Sequence, residues 1–81
     1  MENYCEKLIN DLENGKDVDP ININHELFII DKIIDKRILD KEKIYILLCK
    51  DIKNHKRYVK IMYEQETELW GYLKVTEETL M

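Results

Sequence analysis

The run LFIIDKIIDKRILDKEKIYILLCKD, residues 27–51, constrains the fold more than any other part of the chain. Wound as a helix at ~100° per residue, the apolar residues Leu27, Phe28, Ile29, Ile30, Ile33, Ile34, Ile38 and Leu39 spread around the full circle and leave no polar face. Five of these eight are isoleucine, whose branched Cβ favours a strand. Residues 27–39 are therefore expected to form one long, curved strand. Simple alternation fails at Asp31 and Lys32, and a bulge, which flips the inward set, accounts for the break. The rival reading is a buried helix over 25–36 opened by Asn24 as N-cap.

The rest of the chain fits a meander. Residues 40–43 (DKEK) are a polar turn, and 44–50 (IYILLCK) are apolar on both faces, so each face needs cover. Residues 51–56 turn at Asn54. Residues 57–64 put Val59, Ile61 and Tyr63 on one face and Tyr58, Lys60 and Met62 on the other. QETE, 65–68, is another turn. Residues 69–75 put Leu69, Leu73 and Val75 on one face and Trp70, Tyr72 and Lys74 on the other. Strands at this spacing with hairpin-length connections read as antiparallel neighbours.

At the N-terminus, Tyr4, Cys5, Leu8, Ile9 and Leu12 fall within about 140° of a helical wheel. Residues 2–14 are expected to be a helix closed by Gly15, which suits a left-handed position. Residues 16–26 read as a connector broken at Asp19-Pro20, with Ile21 and Ile23 pinning it to the core. The expected fold is α+β: an N-terminal amphipathic helix packed on a small curved antiparallel sheet of three to four strands, in one domain over residues 1–81. At 81 residues such a domain buries only ~60% of its unfolded surface.

Within this run, Phe28, Ile29, Ile30, Asp31 and Lys32 stand in the order that opens a chromodomain. Ile33, Ile34, Asp35, Lys36, Arg37, Ile38 and Leu39 continue the pattern, and Tyr45, Ile46 and Leu47 take the second-strand positions. The segment 27–51 thus resembles the first two strands of that family, and the resemblance implies a chromo-like or SH3-like curved sheet. For methyl-lysine reading the family uses an aromatic cage. Phe28 matches its first aromatic, but Cys49 stands where the second, a tryptophan, is expected, and Ile52 lies near the third. The family's Trp-Glu-Pro segment and C-terminal helix have no counterpart.

Little in the composition supports catalysis. There is no serine, and the two glycines, Gly15 and Gly71, cannot build a phosphate loop. Cys5, His25, Cys49 and His55 lack zinc-ligand spacing. Cys49 lies in the most apolar segment, where a thiol stays protonated. No carboxylate is marked as an acid or base. The chain is therefore read as a non-enzyme without cofactor, metal or catalytic residues. No apolar run approaches the ~20 residues of a membrane span, and the first residues lack a signal-peptide pattern. The expected location is intracellular (cytoplasmic). Abundant Ile and Lys, both with AT-rich codons, fit an AT-rich genome such as that of a phage, a virus or a low-GC bacterium.

Charge placement is more informative. Residues 1–30 hold seven acids and two bases, residues 31–60 five and ten, and residues 61–81 five and one. Besides a mixed solvated surface, two functional readings follow. In the favoured one, the protein is a small, acidic, non-catalytic interaction module, an inhibitor or regulator that blocks a larger, basic or nucleic-acid-binding partner. Its candidate contacts are Glu64, Glu66 and Glu68 with Trp70, Tyr72 and Tyr58. In the alternative, a chromo-like peptide reader or nucleic-acid accessory domain uses the basic hairpin 50–57, with Lys50, Lys53, Lys56 and Arg57 holding phosphates. The net charge of −4 argues against direct nucleic-acid binding. Trp70 and Tyr72, with Tyr58 and Met62 expected beside them, either pack under the helix or form an exposed patch. A homodimer is compatible with this pattern.

Overall fold

A computed structural model describes residues 3–80, without the side chains of 79 and 80. Helix α1 spans Tyr4–Glu13 and is followed by five strands: β1 Ile21–Ile23, β2 Glu26–Ile38, β3 Glu42–Lys50, β4 Lys56–Glu64 and β5 Leu69–Val75. A short 3-10 helix, Glu77–Leu80, ends the described chain. The strands form one antiparallel sheet in the order β1-β2-β3-β4-β5. The expected three to four strands become five because the connector 16–26 contains β1. That strand needs only three residues, and its pairing is local (Ile21 with Phe28, Ile23 with Glu26).

The β1–β2 link explains why the rival helix fails. Asn24 and His25 have φ of 51° and 67°. Two consecutive left-handed residues between paired strands make a type I′ hairpin turn, whose twist matches that of the strands. Asn24 is thus a turn residue and not an N-cap.

Strand β2 contains two bulges. Ile30 pairs with Cys49 and Lys32 with Leu48, which leaves Asp31 extra; Ile33 pairs with Leu47 and Asp35 with Ile46, which leaves Ile34 extra. The inward set therefore steps through Phe28, Ile30 and Ile33, all buried or half-buried. The broken alternation at Asp31–Lys32 is the first bulge. Each one bends the strand and increases its twist, and the sheet curls into a nearly closed small barrel. A single ion pair registers the curl. Lys74 Nζ on β5 lies 2.9 Å from Glu26 Oε2 on β2, although three strand spacings, ~14 Å in a flat sheet, separate the two strands.

Helix α1 covers the concave face. Its start is capped by Asn3, whose Oδ1 accepts from Cys5 N–H at 2.8 Å. Its end closes as a Schellman motif: Gly15, at φ 72°, donates to Leu12 O and Lys16 donates to Asp11 O. Cys5, Leu8 and Ile9 enter a core with Ile21, Phe28, Tyr45, Leu47, Cys49, Val59 and Ile61. No helix among the described residues is long and apolar enough to cross a membrane.

Candidate interaction surfaces

The register of the meander sorts the exposed residues onto faces and ends. On the concave face Tyr63 pairs with Trp70 and Ile61 with Tyr72; on the convex face Met62 pairs with Gly71 and Tyr58 with Val75. The expected patch of Trp70, Tyr72, Tyr58 and Met62 is therefore not formed. Each strand's two faces were read correctly, but their pairing is opposite, because the turn Gln65–Glu68 aligns Glu64 with Leu69. Trp70 is half-buried against the core, 4.9 Å from the Tyr63 ring and 6.5 Å from the Tyr45 ring. Tyr72 is exposed on β5, and Tyr58 is half-buried on the other face.

The two ends of the barrel carry opposite chemistry. One end gathers the β2–β3 and β4–β5 turns. Here Glu42 lies directly opposite Glu64, and Asp40, Glu66 and Glu68 are exposed nearby on the same turns. Lys41 pairs with Glu66 at 3.4 Å, with both side chains largely in solvent. Ile38, Leu39 and Leu69 are exposed here at 54%, 51% and 66%. A shallow cleft of about 280 Å³ is lined by Leu39, Glu42, Lys43, Tyr63 and Gln65. Glu64, Glu66 and Glu68 thus fall together as expected. Asp40, Glu42 and the apolar trio escaped sequence reading, although DKEK already showed two of the acids; only the β3–β4 register puts them beside Glu64.

At the opposite end Lys50 lies directly opposite Lys56, and Lys53 is exposed on the connecting turn. No described ion pair includes any of the three. Arg57 differs. Its guanidinium reaches Asp51 at 3.0 Å and Glu26 at 3.5 Å, so it belongs to an internal ion cluster rather than to an open phosphate grip. Asp51 anchors that cluster. Its Oδ1 accepts from the backbone N–H of His55 and Lys53 at 2.8 and 2.9 Å. The His55 hydrogen bond, then that of Lys53 and the charges of Arg57 and His55, hold its carboxyl below the ordinary carboxylate range against partial desolvation. The Lys74 hydrogen bond does the same for Glu26.

The cage suggested by the chromodomain resemblance is absent. Phe28 is 0% exposed and Cys49 likewise, so neither offers a face to a ligand, and Ile52 is an aliphatic side chain in solvent. Burial pushes the Cys49 thiol up to about 12 and raises that of Cys5; both are free thiols. Among the described residues no group of three or more His, Cys, Asp or Glu is placed to hold a metal. No family model, curated protein or solved structure matches the chain.

Proposed function

We propose that the protein is a non-catalytic interaction module whose acidic end docks on a basic surface of a larger partner, as an inhibitor or regulator. The observation that carries this reading is the Glu42–Glu64 pair. Like charges directly opposite on a ladder destabilise a sheet, yet here they stand at the rim of an exposed apolar group, Ile38, Leu39 and Leu69. A cationic partner would relieve the repulsion while covering the apolar centre, the arrangement of an interface with a polar rim. A nucleic-acid-binding protein is a fitting partner class, since its own site is basic.

The test is affinity capture from the native host followed by association kinetics. Glu64→Lys, Glu66→Lys and Glu68→Lys together are expected to abolish capture, and the wild-type association rate is expected to fall with salt, because exposed charges steer encounter. Lys53→Glu with Lys56→Glu is expected to leave capture intact. The reverse pattern sinks the acidic-end reading.

A second reading rests on Lys50 and Lys56, the matching like-charge pair at the other end. It makes this end a phosphate-binding surface without Arg57. Retention on heparin and single-stranded DNA that is lost with added salt would favour it.

A further inference from the structure

The basic end of the barrel carries more than its lysines. It gathers the β1–β2 and β3–β4 turns, and a cleft of about 500 Å³ lies between them with Leu27, Ile52 and Lys53 in its walls. Ile52, in the β3–β4 turn, is 77% exposed, the highest value among the large apolar side chains of the described residues. Leu27 and Ile29 are exposed as well, and Ile29 pairs with Lys50 on the β2–β3 ladder. Lys50 in turn stands opposite Lys56, and Lys53 follows Ile52 directly. Most acids of this end are already engaged. Asp51 is held by two backbone N–H groups and by Arg57, and Glu26 by Lys74 and Arg57. Glu77 and Glu78, at the start of the 3-10 helix that follows β5, reduce the excess of the three lysines without cancelling it.

We infer that this end docks on an anionic lipid surface, with Ile52 inserted at the headgroup boundary and Lys50, Lys53 and Lys56 on the lipid phosphates and carboxylates. The inference deepens the phosphate-binding reading of the same end and rests on it. The side chains select a bilayer over a nucleic acid. Single strands are held by stacking bases on aromatic rings, whereas the exposed apolar side chains here, Leu27, Ile29 and Ile52, are aliphatic. Tyr58, two residues past Lys56, is half-buried. An exposed aliphatic group at a turn with amines around it suits a bilayer interface, where the amines stay level with the headgroups while the apolar atoms sink beneath them. The overall charge of −4 does not oppose this contact. Glu42 and Lys50 mark the two ends of β3, and nine residues of strand set them ~26 Å apart at ~3.3 Å per residue. That is about three Debye lengths at physiological salt, so the acids of the far end are screened from a surface that touches the lysines.

Flotation of the full chain with phosphatidylcholine vesicles, plain or carrying about 30% phosphatidylserine, tests the contact. Binding is expected to the anionic vesicles alone and should disappear at about 0.5 M salt. Lys53→Glu with Lys56→Glu should weaken it by about a hundredfold or more, since each lysine near such a surface is worth about fivefold and reversal removes more than neutralisation. Ile52→Ser should weaken it by about tenfold and leave its salt dependence unchanged, a result that lysines acting alone would not give. All three positions are exposed, so the urea midpoints of both variants should stay close to that of the native chain. Fluorescence anisotropy of a labelled single-stranded oligonucleotide at the same salt separates the two sources of phosphate. Oligonucleotide binding without vesicle binding would overturn the lipid inference and leave the phosphate reading standing, and binding to neither would overturn both. Equal flotation with neutral vesicles, or an Ile52→Ser variant that binds as the native chain does, would also overturn the inference.

Discussion

Asn24 and His25 show how much a single backbone angle can carry. The type I′ turn requires positive φ at both positions, and asparagine tolerates it better than histidine does. His25 at φ 67° therefore holds local strain that glycine would not. His25→Gly is expected to stabilise the fold by about 0.5–1 kcal/mol despite the extra freedom glycine gives the unfolded chain, while His25→Val should destabilise it. Urea midpoints for the three proteins check the order. Cys49 is the other residue whose setting decides its chemistry. Wholly buried, with only a 3.9 Å contact from Sγ to Leu47 O, it behaves as a small apolar side chain rather than a nucleophile.

Among the elements, α1 is the one most dependent on its partner. Ten residues is too short for a stable isolated helix, so it persists by burying Cys5, Leu8 and Ile9 in the barrel mouth. Leu8 is 5% exposed, and Leu8→Ala should cost about 2–5 kcal/mol of stability. A loss below about 0.5 kcal/mol, the range of surface substitutions, would mean that the helix is undocked in solution. Strand β2 is the complementary case. Its bulge at Asp31 keeps Ile33 pointing inward with Phe28 and Ile30, and the second, at Ile34, bends the strand beyond them.

At the scale of the whole molecule, titration limits stability on both sides of neutrality. Asp51 and Glu26 have lowered pKa values. Their contribution is present above the ordinary carboxylate value, ~4, and is lost as pH falls through their lower folded values. Cys49 works in the opposite sense. Its thiol is raised to about 12, so its contribution is complete below the ordinary thiol value of ~8.5 and is lost as pH rises towards 12. Urea midpoints at about pH 3, 7 and 10.5 should therefore peak at the middle value. Cys49→Ser is unsuitable as a control because it buries a hydroxyl; Cys49→Ala, which removes this thiol, should reduce the alkaline loss, leaving the part due to Cys5, Tyr4 and Tyr45, whose pKa values burial also raises. An unchanged midpoint from about pH 7 to 10.5 would show that Cys49 is not held in the core.

Sequence alone determined the helix, the four longer strands and the faces of β4 and β5, but not the three-residue β1. Isoleucine-rich segments, the amphipathic arc of Tyr4–Leu12 and Gly15 act over a few neighbouring residues, where steric preference and periodicity decide. It also placed Glu64, Glu66 and Glu68 together, because one turn holds them. Tertiary structure decided what crosses between strands. Whether Trp70 faces Tyr63 or Met62 depends on the register of a hairpin, and a shift by one residue exchanges every side chain between faces. The same register brings Glu42 to Glu64 and Lys50 to Lys56, separating an acidic from a basic end. Arg57 reads as one more cation of a basic hairpin, but the β3–β4 turn holds Asp51 beside its guanidinium and the curl of the sheet brings Glu26 of β2 to it, making it part of an intramolecular ion cluster. That curl is a sum of twist and two bulges along β2, a property of the assembled sheet that no local pattern contains.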